Sequence, residues 1–291
     1  SAGSGSPVIN VDSGIQVTSP VVSTFEADGF FTIKGSNSYT LENQYTCFHI
    51  VKDSQTATYL LRKNFDSRIW LKYGTGTYNV YVYKATATVN NLNYEGDTQH
   101  FTTSTLLYKF TVTNTRDEYG QFLYPSDYAQ SDDIVLLNKA VELTYNLTNE
   151  DDKIKAVYDF VVKRNHYDFD STVSGQRKKQ DALSVFNNQM GVCEGYTMLF
   201  TALARANGIQ TKIIYGLAVT QTGNVGHAWN NILYQNSLWK FVDSTWGDPV
   251  PNDTDPNSVT YKYYMLDDMT GIGGDHIPSN EGGGRSVGNY F

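Results

Sequence analysis

Two cysteines occur in this chain of 291 residues, Cys47 and Cys193, and Cys193 stands where a thiol is expected to react. It lies in the run Gly191-Val192-Cys193-Glu194-Gly195-Tyr196, just before the Ala- and Leu-rich stretch Met198 to Asn207, which favours helix and ends on Gly208. A thiol is a strong nucleophile only as thiolate, and a helix start together with a neighbouring imidazolium favours that form. Gly191 allows close backbone approach, and Gly195 is expected to leave room beside the sulfur for an acyl group. The Cys193 N–H, lying before the first helical hydrogen bond, is left free to donate to an oxyanion.

An imidazole and a carboxylate follow in strand-like sequence. Thr211 to Val219, His227 to Tyr234 and Leu238 to Ser244 read as three strands, the last two joined by Gln235-Asn236-Ser237 as a hairpin. A turn centred near Asn236 sets Asp243 opposite Trp229 and diagonal to His227 on one sheet face. Diagonal neighbours stand ~7–8 Å apart, near enough for a carboxylate to hold an imidazole N–H and leave the other ring nitrogen for sulfur. A slip of one residue would send Asp243 to the other face, so register decides the arrangement.

The elements that must position these residues fall into two parts. From Val8 to about Arg116 the sequence reads as short strands, 30–34, 45–51, 58–61, 76–83 and 106–112, rich in β-branched and aromatic residues with Gly, Asn, Asp and Ser between them. This predicts an all-β, immunoglobulin-like antiparallel sandwich over residues 8–120, after a tag or linker at 1–7. Helices begin after the polar stretch around Pro125. Ser131 with Asp132 and Asp133 opens one. Thr148 or Asn149 caps a second, whose first turn is Glu150-Asp151-Asp152 and whose stripe is Ile154, Val157, Tyr158, Val161 and Val162. Residues 121–291 are expected to form an α+β domain in which the helix bearing Cys193 packs on an antiparallel sheet.

Composition excludes several classes. The chain carries 22 Lys and Arg against 30 Asp and Glu, a formal charge of −8, and has no basic run able to track phosphates, so nucleic acid is not an expected partner. No stretch reaches the ~18 apolar residues a spanning helix needs. The opening Ser1 to Ser6 lacks the regions of a signal peptide. Two cysteines do not make a disulfide scaffold or a cysteine-rich zinc module. The 22 tyrosines and the Thr-rich first third resemble exported surface proteins of Gram-positive bacteria, which suggests a secreted or cell-surface setting.

Three motifs in order carry a more specific resemblance. Gly191 to Tyr196, then Gly226-His227-Ala228-Trp229-Asn230, then Trp239 to Pro249 around Asp243 resemble the transglutaminase-like superfamily, with its papain-like Cys-His-Asp core. The likeness runs from about Asn149 to Asp248, and the later 261–266 and Asp275-His276 resemble the tail of bacterial members. It implies Cys193 as nucleophile, His227 as general base and Asp243 as orienter, with acyl transfer through a thioester to water or an amine. It implies a protein or peptide substrate, including cell-wall peptides, and no cofactor. The family spans cross-linkers, peptidases, glycanases and members that have lost activity. The barrels, calcium sites and oxyanion Trp of the animal transglutaminases are not located in this sequence. A surface adhesion or cell-wall binding protein on a catalytically weak core is the alternative.

Other residues read more plainly. Cys47, in an alternating β run, is expected as a buried thiol. His49, His100, His166 and His276 show no metal-ligand spacing and are expected to be structural or solvated, His276 alone falling in a family-like position. Tyr196, Trp229 and Trp246 are candidates to line a substrate cleft, with core packing the plainer reading of the tryptophans. Asp253, Asp255 and Asn257 begin like a calcium loop, but Ser258 replaces the required Gly and Tyr264 the bidentate Glu, so a polar loop without metal is expected. The Gly-rich end, 281–285, reads as a surface loop or frayed terminus.

Overall fold

The structure, a computed structural model, describes Gly3, Gly5 and residues 8–9, 14–87, 101–116, 118–176, 178–249, 251 and 257–280. His100, Asp253, Asp255, the Gly-rich run 281–285 and most of the 1–7 linker lie outside the described residues. The chain divides into two units between Gln121 and Phe122.

Among the described residues the first unit has ten strands: β1 Val8–Ile9, β2 Ile15–Ser19, β3 Thr24–Ala27, β4 Phe30–Asn37, β5 Gln44–Lys52, β6 Gln55–Leu61, β7 Asn64–Trp70, β8 Gly76–Ala87, β9 Phe101–Thr103 and β10 Tyr108–Asn114. Seven form one sheet along the path β1-β10-β8-β5-β6, with β3 beside β10 and β9 beside β8; β2-β4-β7 form a second. The period-2 pattern of β8 explains the sandwich. Tyr78, Val80 and Val82 are buried and meet Ile33 of β4 and Ile69 of β7 from the facing sheet. β7 escapes a reading by composition because Asp66 and Arg68 interrupt it. It is an edge strand whose side chains alternate, so Asp66 and Arg68 are exposed while Phe65 and Ile69 face the core. Cys47 lies on the other face of β5, buried with Tyr45, Ala85 and Ala87, and burial pushes its thiol pKa well up. Both cysteines are free.

The second unit is α+β. Its helices are α1 Ile134–Thr144, α2 Glu150–Arg164, α3 Phe169–Ser174, α4 Ala182–Asn188 and α5 Cys193–Ala206; its strands are β11 His166–Tyr167, β12 Met190–Gly191, β13 Thr211–Thr220, β14 Gly223–Tyr234, β15 Leu238–Val242, β16 Tyr264–Leu266 and β17 His276–Asn280. Asp133 caps α1 through the Val135 N–H, and Asn149 caps α2 through the Asp152 N–H. The short helices α3 and α4 are additions to the sequence reading. Each starts on an aspartate cap, Asp168 and Asp181.

Helix α5 is buried on every side from Glu194 to Arg205, packed among α1, α2, α4 and the sheet. Asn230 ties it to β14 by donating to Thr201 Oγ1 at 2.8 Å and to the Lys212 carbonyl at 3.0 Å. The sheet is antiparallel in the order β16-β15-β14-β13-β17. In the β14–β15 hairpin Asn230 faces Val242 and Tyr234 faces Leu238, the register expected from a turn centred on Asn236. Gln235 and Asn236 both take positive φ, 49° and 53°, as a tight hairpin turn requires.

Candidate active site

Cys193 is the first residue of α5, and Val192 before it is an extended N-cap that offers no side-chain cap. The first N–H closed within the helix is that of Tyr196, onto the Val192 carbonyl at 3.1 Å, so the Cys193 N–H precedes the helical ladder. The turn into the helix is braced by Gln180. Its Oε1 accepts the Val192 N–H at 2.9 Å while its Nε2 donates to the Lys178 carbonyl at 2.9 Å. Gln180 is buried, a role its polar surroundings in sequence conceal.

The glycines around Cys193 serve this brace. A Cβ on Gly195 would lie 2.4 Å from Gln180 Oε1 and 2.7 Å from Val185 Cγ2. The space at Gly195 therefore belongs to Gln180 and α4, which corrects the expectation that it holds an acyl group.

His227 on β14 and Asp243, one residue past β15, meet as the register requires: His227 Nε2 and Asp243 Oδ2 are 2.7 Å apart. A carboxylate only accepts, so Nε2–H donates, which leaves the other ring nitrogen for the Cys193 side chain, a neighbour that itself raises the imidazole pKa. Asp243 Oδ1 accepts the N–H groups of Thr245 and Trp246 at 3.0 and 3.2 Å. Cys193 keeps partial exposure, whereas His227 is 7% and Asp243 0% exposed.

The electrostatics follow from this burial. For His227, burial opposes the charged form, but the adjacent Asp243 carboxylate outweighs it, with the Cys193 contact adding, and the imidazole pKa is raised. For Asp243, burial alone would raise the carboxyl, but His227 above all and then His276 hold it down at about 2. Both shifts favour the charged partners, imidazolium beside carboxylate.

The structure also brings in His276, which sequence reasoning placed among structural or solvated histidines. It is fully buried, and its Nε2 lies 2.9 Å from the same Asp243 Oδ2. Among the described residues one group, His227, Asp243 and His276, gathers metal-ligating atoms within 4.8 Å of one another. Those atoms are already hydrogen-bonded to each other.

Two of the three expected cleft residues do not face a cleft. Tyr196, 0% exposed, lies in the buried body of α5, because a helix buried on all sides turns every residue after its first inward. Trp229, 1% exposed, is core: it packs on Phe241 and His276 and fills the space above Gly216, where a Cβ would lie 2.7 Å from its ring. Trp246 is half-buried, its ring 5.2 Å from that of His227 and 4.6 Å from that of His276, so it covers the imidazole pair. Of the described hollows, one of about 550 Å³ beside Tyr39 and Arg62 and another of about 460 Å³ beside Phe160 and Arg164, neither is lined by Cys193, His227 or Asp243.

The second unit thus presents a cysteine at the first position of a helix that packs on an antiparallel sheet, with the histidine on β14 and the aspartate just after β15. The family model of the transglutaminase-like superfamily matches residues 138–244. The chain is 26% identical over 157 residues to kyphoscoliosis peptidase of Mus musculus, across 50% of this chain and 23% of that protein. It is 26% identical over 141 residues to kyphoscoliosis peptidase of Homo sapiens, across 45% and 21%. The chain thus spans less than a quarter of these relatives' length. Among solved structures it is similar to a candidate cysteine protease from Cytophaga hutchinsonii, with TM-score 0.40 and 17% identity over 84% of this chain and 73% of that one. It is also similar to a candidate protease from Parabacteroides distasonis, with TM-score 0.30 and 12% identity over 67% and 37%.

Proposed function

We propose that this chain is a thiol enzyme that cleaves amide bonds of proteins or peptides through a thioester on Cys193. The observation that carries this reading is the placing of Cys193, at a partly exposed helix start, as electrostatic neighbour of an imidazole held by a buried carboxylate. The match to the transglutaminase-like family supports it.

In this reading His227 and Cys193 exchange one proton, giving thiolate and imidazolium. The sulfur attacks the substrate carbonyl carbon, and the Cys193 N–H donates to the developing oxyanion. As the tetrahedral intermediate collapses, the C–N bond breaks and His227 gives its proton to the departing amine. Water then attacks the thioester, His227 takes the proton, and the thiol leaves with the acyl group released as acid. An amine in place of water gives transamidation instead. The partly open sulfur supports access by either, and hydrolysis is the favoured outcome. Asp243 stays ionised throughout, held by four donors. The tyrosine- and threonine-rich first unit supports an exported or surface-held enzyme, with cell-wall peptides among its candidate substrates.

The test is alkylation by iodoacetamide across pH in wild type, His227→Ala and Cys193→Ser. Rapid labelling at about pH 6, where an ordinary thiol of pKa ~8.5 is almost wholly protonated, is expected in wild type alone. Labelling no faster than that of a free thiol, and unaffected by His227→Ala, would sink the enzyme reading.

A further inference from the structure

Asp243 Oδ2 serves two imidazoles at once, Nε2 of His227 at 2.7 Å and Nε2 of His276 at 2.9 Å. A carboxylate offers acceptors only, so both nitrogens must carry protons. The far side of His276 is built the same way. Its Nδ1 lies 2.8 Å from Asp275 Oδ1, which also takes the Ile272 N–H at 2.9 Å, while Asp275 Oδ2 takes the Tyr263 hydroxyl at 2.5 Å. Asp275 is held below the usual carboxylate range: burial pushes it up, and hydrogen bonds from Tyr263, His276 and the Ile272 N–H more than offset that. Both ring nitrogens of His276 therefore face oxygens that accept, and only the doubly protonated ring satisfies both.

The surroundings are shaped to hold this ring. His276 is 0% exposed, with the rings of Trp246, Phe241, Trp229 and Tyr263 at 4.6, 4.8, 4.9 and 5.4 Å. Gly271, at φ +79°, passes so close that a Cβ there would lie 2.3 Å from Asp275 Oδ1 and 2.6 Å from His276 Nδ1. The titratable groups facing His276 are Asp243 after β15, His227 on β14, Asp275 before β17 and Tyr263 before β16.

We propose that His276 is a cationic positioning residue: doubly protonated and anchored by Asp275 and Tyr263, it fixes the Asp243 carboxylate and shares its charge, limiting how tightly His227 holds its proton. The proposal rests on the thiol–imidazole reading of Cys193 and His227. The two imidazole rings are 5.4 Å apart, so two positive charges sit across one carboxylate. A like charge at such range moves a neighbouring group by ~1 pH unit or more in a buried setting. Without the charge on His276, His227 keeps its proton to higher pH and is a poorer proton acceptor in the deacylation step.

The experiment uses the full chain with histidines labelled with nitrogen-15, and the variants His276→Gln and Asp275→Asn. Nitrogen-15 shifts at neutral pH are expected to show both nitrogens of His276 protonated in wild type. The alkaline limb of the Cys193 alkylation profile is expected to move up by about one pH unit in both variants. A ring nitrogen of His276 without its proton, or limbs that superimpose on wild type, would overturn the proposal. If His276→Gln fails to fold, Asp275→Asn, whose side chain is 20% exposed, supplies the same readout. Failure of the underlying reading is distinguished by His227→Ala: if that variant also leaves the profile unmoved, the thiol–imidazole pair itself is wrong, whereas its collapse beside an unmoved His276→Gln removes only this inference.

Discussion

Gly195 and Gln180 share one small volume: the amide oxygen of Gln180 lies 2.4 Å from where a Cβ on residue 195 would stand, and 2.9 Å from the Val192 nitrogen. The first position of the helix is therefore held by a side chain that only a glycine two residues further on admits.

Gly195→Ala is expected to displace Gln180 and strip the Val192 N–H of its acceptor. Overpacking of this kind costs ~1–3 kcal/mol, and a buried donor left unpaired costs ~1–3 kcal/mol. Urea unfolding should show lower stability together with slower Cys193 alkylation. A second change, Gln180→Ala, should relieve the clash with the amide but not that with Val185 Cγ2, and should not recover the rate, since the brace is still missing.

Asp243→Asn bears on stability through pH. Asp243 is depressed to about 2 when folded, so its contribution is full above the unfolded value of ~3.9 and is lost as pH falls toward 2. His227 is raised when folded, so its contribution is full below ~6.5 and fades as pH climbs toward its folded value. Both describe one interaction and are not added. The stability gap between wild type and Asp243→Asn, from urea midpoints over a pH series, should be widest between about pH 4 and 6.5 and narrow on either side.

Trp246→Ala removes the ring that covers both imidazoles while its own position is only half-buried. Each ring contact contributes ~0.5–1.5 kcal/mol, so a modest loss of thermal stability is expected. The larger expected effect is on alkylation at acid pH. Water reaching Asp243 weakens its hold on His227, so the acid limb should shift up while the alkaline limb shifts down.

Cys47 separates burial from reactivity within one chain. Its thiol is 0% exposed and burial pushes its pKa well up, so in Cys193→Ser protein it should take up no iodoacetamide under native conditions. Mass spectrometry should find one alkyl group after denaturation in guanidinium and none before it.

Short-range rules govern part of the site, and that part is legible in the order of residues. A hairpin of known turn repeats with period 2, so placing Asn236 at the turn was enough to bring Asp243 diagonal to His227, and an Ala- and Leu-rich run after Gly191 was enough to put Cys193 at a helix start. How completely α5 and β14 are covered depends on the elements packed around them. Tyr196 and Trp229 carry the composition of cleft residues but sit in a helix and a strand covered on both sides. Gln180 lies among Lys178 and Lys179, where local polarity hides a buried amide. His276 is 33 residues beyond Asp243, on β17, which joins the sheet at β13 rather than beside β15. That approach is a non-local strand pairing, and no periodicity along the chain records which distant edge a short strand will choose.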